Sequence, residues 1–209
     1  MNTSYFGDQN IDETIRNRYF PDFSYKGTIV EVGGATPEYL SMSRHFKLNG
    51  WRAIVIEPNP TFCEEHRKIG NEIYELACSD KDEDNVDFVV VHANSGKVTD
   101  HSFSSLKVKD SYRQIANNWV DRLKHTMIKV NVRKLDTIIK DYQIENIDIL
   151  SVDVEGWELE VMKGLSLINP KVVILENLFK EESYRQYMIE RGYKFIEKIW
   201  DNDIYEKEL

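Results

Sequence analysis

The chain has 209 residues, a formal net charge of −9 and a pI of about 5.1. That length can bury a full core in a single domain, and the acidic balance disfavours phosphate backbones, so no nucleic-acid partner is expected. The first twenty residues carry no basic segment followed by an apolar run, and no apolar stretch is long enough to span a bilayer. A cytoplasmic protein without a membrane partner is therefore expected, and Cys63 and Cys78, which lack C-x-x-C spacing, fit two reduced thiols.

Residues 1–26 read as an N-terminal helical segment. Thr28 to Val32 is a β-branched run closed by Gly33-Gly34, the pattern of a buried parallel strand entering a tight turn. Pro37 opens a predicted helix through Leu40, Met42, Phe46 and Leu48, and Gly50 ends it. Ala53 to Ile56 is a second strand, stopped by Glu57-Pro58-Asn59-Pro60. Thr61 to Gly70 reads as a helix. Ile73 to Cys78, Val86 to Val91 and Met127 to Val132 read as strands, and Lys134 to Tyr142 as a helix. Ile147 to Val152 is a strand ending in Asp153-Val154-Glu155-Gly156, followed by a helix over Trp157 to Leu165. Lys171 to Leu175 is a strand ending in Glu176, Glu181 to Arg191 a helix, and Tyr193 to Ile199 with Ile204 to Lys207 a closing antiparallel pair. This alternation predicts an α/β fold: an open, mostly parallel sheet with helices on both faces. Ala93 to Thr126 interrupts it. That stretch is polar, holds six Lys/Arg against three Asp, and reads either as a solvated loop with a short helix near Tyr112 to Leu123 or as a lid or substrate-recognition insertion.

In open parallel sheets, ligands bind beyond the carboxyl ends of the strands. Three features fall on that edge. Glu31-x-Gly33-Gly34 lets the backbone approach a ligand. Glu57, with Pro58 beside it, can accept from both hydroxyls of a ribose. Ser79-Asp80 could contact an adenine amine, although a plain turn explains them equally well. Together they describe an adenosine site. The third glycine of a dinucleotide fingerprint is absent, and Glu38 at the helix start would repel a pyrophosphate. Glu31 and Glu38 instead suit a ligand with a sulfonium and an ammonium, which points to S-adenosyl-L-methionine.

The residues quoted so far resemble the FkbM-type methyltransferases, a branch of the class I enzymes that use S-adenosylmethionine. The resemblance runs through Tyr5-Phe6-Gly7-Asp8-Gln9, Val30 to Ala35, Gly50-Trp51, Ile56 to Pro60, Ala77 to Asp80, Ser104-Ser105-Leu106, Leu135-Asp136 and Arg191-Gly192-Tyr193. Asp148 to Glu158 carries it most specifically. Gly34 and Ser151 depart from the pattern, where alanine and lysine are common. The resemblance implies a Rossmann-like seven-stranded sheet with an antiparallel last strand, and O-methylation of a sugar or small-molecule hydroxyl.

A sugar hydroxyl is a poor nucleophile and needs a base as the new bond forms. Asp153 and Glu155 are the catalytic candidates. Two apart on an extended strand, they would share a face; Asp153 would face the cofactor's amino-acid end or the acceptor, and Glu155 or a histidine would be the base. Glu176, His92, His101 and His125 are further candidates on that edge or near the insertion. Three carboxylates on one rim raise Mg²⁺ as an option, but no rigid ligand spacing is visible and no metal is expected. Two other readings stay open: a non-catalytic methyltransferase-like binding module, and an NAD-dependent sugar-nucleotide oxidoreductase. The latter is disfavoured by the absent third glycine and by the absence of lysine at catalytic spacing after Tyr142 or Tyr184. Oligomeric state is left open.

Overall fold

The computed structural model describes residues 2–92, 104–106 and 124–208. A short helix, α1 (Ile11–Tyr19), precedes the first strand, β1 (Thr28–Val32). Then come α2 (Arg44–Leu48), β2 (Arg52–Ile56), α3 (Pro60–Lys68), β3 (Glu72–Tyr74), β4 (Ala77–Cys78), β5 (Glu83–His92) and β6 (Lys124–Arg133). The chain closes with α4 (Leu135–Asp141), β7 (Ile149–Val152), α5 (Glu158–Lys163), β8 (Val172–Glu176), α6 (Glu182–Glu190), β9 (Tyr193–Ile199) and β10 (Asn202–Lys207).

Seven strands form one sheet in the order β3-β2-β1-β7-β8-β10-β9. The first five run parallel, and β10 is antiparallel to both its neighbours. This is the expected Rossmann-like α/β sheet. Alternation along the strands explains its two layers. Val30, Val32, Ile54 and Ile56 pack on one face against α4, α5 and α6 through Leu135, Ile138, Val161, Met162 and Met188. Ile29, Ala53 and Ile149 pack on the other against Ile11 and Ile15 of α1 and Phe46 of α2. From β1 the chain moves outward to β2 and β3, then returns to β7 on the other side. The crevice at the carboxyl ends of β1 and β7 is therefore the switch point where such sheets take ligands.

Three expectations are corrected. The helix expected from Pro37 starts only at Arg44. The Glu31 carboxylate captures the backbone amides of Met42 and Ser43, and Leu40 has φ +58°, so the intervening turn cannot be helical; Met42 and Phe46 are buried, and Leu40 and Leu48 are exposed. The strand expected over Ile73 to Cys78 is two strands. β3 closes the main sheet, whereas β4 pairs with β6. Finally, the runs near Val86 and Met127 do not join the main alternation. They form an antiparallel ribbon that, with β4, makes a separate three-stranded sheet, order β4-β6-β5, packed on Ala77, Phe88, Val90, Val130 and Val132. Sequence periodicity identifies such strands but says nothing of which sheet they join. The helix expected near Tyr112 to Leu123, and His101, lie outside the described residues.

Candidate functional site

Gly33 ends β1 with φ +83°, and its amide donates to the Ile56 carbonyl of β2 at 2.9 Å. A Cβ there would lie 1.7 Å from the Asp153 carbonyl oxygen, so only glycine lets the β1 turn approach β7 this closely. At Gly34 a Cβ would lie 2.3 Å from Val55 Cγ1, which explains why alanine, common at this place in the resemblance, is absent here.

Beyond this turn opens a cleft with an empty volume of about 520 Å³. Its walls bring together Gly33, Glu57, Pro58, Asp153, Glu155 and Trp157 from the main sheet's edge. Leu76, Ala77, Cys78, Phe88 and Ser104 to Leu106 come from β4, β5 and the insertion. A second lobe runs past Gly34, Thr36, Tyr39 and Leu40 and shares Gly33, Ala35, Phe62, Asp153 and Glu155 with the first. Ala35, Leu40 and Glu155, all lining these lobes, have positive φ.

Glu57 is buried. Its Oε2 accepts from the Ala35 amide at 3.1 Å and its Oε1 from the Asn59 amide at 2.7 Å. Asn59 in turn caps α3 by accepting from the Thr61 amide. Burial, despite these two bonds, pushes the Glu57 carboxyl up to about 7, with Asp153 and Glu31 adding like charge. Asp153 follows β7, its amide held by the Val32 carbonyl at 3.0 Å. Its side chain is exposed at the cleft wall, yet desolvation on the cleft side, then the neighbouring Glu158 carboxylate, push its carboxyl up. Strand β7 does not persist through Glu155, whose φ of +57° breaks it; both residues nevertheless line the cleft. Glu158, missed at the sequence level, organises this turn. Its Oε1 accepts from the Val154 and Gly156 amides at 3.0 Å, and its Oε2 from the Tyr184 hydroxyl at 2.6 Å. A carboxylate two residues past the turn glycine was the signal that could have revealed it.

Other predicted residues sit differently. The Glu31 carboxylate is buried away from the cleft walls, held by the Met42 amide at 2.7 Å and by Ser41 and Ser43. Ser151 lies in register beside it on β7, so a neutral neighbour leaves that charge to the 41–43 turn. Ser79 is buried and bonds to exposed Asp80 at 3.3 Å. Ser79 lines a separate groove that also includes His125, Met127 and Lys129. His92 bonds to Thr126 Oγ1 at 2.9 Å on the outer ribbon. Oxygens of Asp153, Glu158 and Glu176 lie within 4.8 Å of one another. Of the three, Glu158 is engaged at both oxygens by the Val154 and Gly156 amides and the Tyr184 hydroxyl.

These raised carboxyls set a pH dependence. Folded Glu57 holds its proton to about 7, while the unfolded chain releases it near 4.5, so its stabilising share is full below about 4.5 and lost as pH rises towards 7. His45 and His66, lowered by burial, act oppositely, so the clean measurement is a difference. Glu57→Gln is expected to gain on the parent by more than about 1 kcal/mol between about pH 5 and pH 7.5 in urea unfolding without ligand. A constant difference across that range would contradict the assigned environment.

The Methyltransferase FkbM domain model matches residues 31–195. No curated protein matches the sequence. Among solved structures, a Staphylococcus aureus protein named provisionally as a caffeoyl-CoA O-methyltransferase is similar at 12% identity and a TM-score of 0.47, over 96% of this chain and 82% of that one. No helix among the described residues is long and apolar enough to cross a membrane. With the matched span reaching from the acid of the first glycine turn into β9, the chain belongs to the FkbM methyltransferase family.

Proposed function

We propose that the whole chain forms one methyltransferase domain, which binds S-adenosyl-L-methionine in the cleft and transfers its methyl group to a hydroxyl of a sugar or small molecule. Glu57 carries the reading. It is a buried carboxylate at the end of β2, facing the Gly33–Ala35 turn and opening on the cleft. A carboxylate so placed suits the paired hydroxyls of a ribose, and the apolar wall of Ile56, Phe62, Leu76 and Phe88 suits an adenine. The acidic end at Asp153 and Glu155 suits a cationic amino-acid portion. When bound, S-adenosylmethionine supplies an electrophilic methyl group. Asp153, on the cleft wall at that end, then accepts the acceptor hydroxyl's proton. Glu155 lies beside it on the same wall as the alternative base.

The test is incubation with methyl-labelled donor and a panel of glycans and small alcohols, read by mass analysis. Label on a hydroxyl oxygen is the expected result. Label found only on amines or carboxylates would overturn the acceptor class.

A further inference from the structure

Strands β7 and β8 run in register from Ile149 opposite Val172 to Val152 opposite Leu175. The next residue of each, Asp153 and Glu176, therefore emerge side by side at the sheet edge. Their carboxyl oxygens lie within 4.8 Å of each other, and at that spacing two ionised carboxylates repel strongly enough to favour a proton held between them. The groups facing the pair add to the constraint. Asp8 of the N-terminal segment, Glu31 of β1, Glu155 of the β7–α5 turn and Glu158 of α5 all bring negative charge. From the β9–β10 side, the Lys198 ammonium is spent on the Asn177 carbonyl at 2.9 Å, the Asp201 carbonyl at 3.2 Å and the Asp203 carboxylate at 3.3 Å. A proton between Asp153 and Glu176 thus relieves a concentration of like charge, and an arriving cation would relieve the same charge in its place.

We propose that Glu176 is a positioning residue for Asp153: the two share one proton until a cationic methyl donor enters, and the donor's charge displaces that proton to solvent. Only the bridging O–H bond breaks, and the proton passes to water or buffer. Asp153 is left charged, as a base for the acceptor hydroxyl, only once the donor is loaded. This rests on the donor reading above.

The experiment is isothermal titration of the full chain at pH 6.5 with S-adenosylmethionine and with S-adenosylhomocysteine, whose sulfur is uncharged. Each is titrated in buffers of different ionisation enthalpy, which counts the protons released. Both compounds meet Glu57 alike, so any proton lost there is common to the two and cancels. S-adenosylmethionine is expected to release close to one proton more than S-adenosylhomocysteine. In Glu176→Gln that excess should vanish while binding persists, and in Glu176→Asp it should return. Equal proton counts for the two compounds, or an unchanged excess in Glu176→Gln, would overturn the proposal alone. No binding of either compound would remove the donor reading and this proposal together.

Discussion

Gly33→Ala is expected to destabilise the protein by about 3–5 kcal/mol and to remove donor binding. Two costs combine. A non-glycine residue at φ +83° pays about 1–2 kcal/mol in backbone strain. The added Cβ would also lie 1.7 Å from a backbone oxygen, Asp153 O, which cannot swing aside as a side chain can. Relief requires the carboxyl ends of β1 and β7 to part, and that movement would widen the crevice proposed for the donor. Gly70→Ala is the control. It shares a positive φ, +68°, but a Cβ there meets nothing within 4 Å, so only the strain cost of about 1–2 kcal/mol should appear. Urea midpoints for the two variants separate strain from collision. Equal losses would show that the Gly33–Asp153 approach is not as tight as described.

Glu57→Ala is expected to weaken S-adenosylmethionine and S-adenosylhomocysteine equally, by about 1–3 kcal/mol, or roughly five- to 150-fold. Equality is the informative part, because a ribose contact does not sense the sulfur's charge. The variant also strips the Ala35 and Asn59 amides of their acceptor, but it removes a carboxyl whose burial is costly. Its net stability should therefore change less than its affinity. Titration calorimetry above pH 7, where the parent carboxyl is ionised, measures the full effect. Unchanged binding there would place the ribose elsewhere.

Much of this was legible from residue order alone. The strands β1, β2, β7 and β8 are short, β-branched and bounded by Gly or acid-Pro signals, so pattern identifies them. Gly33, Glu57 and Asp153 could be assigned to one edge because a parallel sheet puts every strand's carboxyl end on the same side. Other assignments needed coordinates. Glu31 looked like a direct ligand contact because it precedes the glycine turn, yet its carboxylate points into the 41–43 backbone. The same capture cancelled about the first two turns of the helix expected from Pro37. Asp153 and Glu155 were expected on one face through strand alternation. They share a cleft although the strand stops at Val152.

The sequence by itself determined the α/β class, the position of the glycine turn and the acids that stand at strand ends, because these depend on local periodicity and on the handedness of crossovers. Only the tertiary structure decided that β4, β5 and β6 leave the main sheet and that β4 and β5 wall the cleft, that Glu158 braces the turn after β7, and that Asp153 and Glu176 meet. Those outcomes depend on strand register and on contacts between residues far apart in the chain. A carboxyl's charge state in particular is set by how many neighbours and how little water the fold leaves around it.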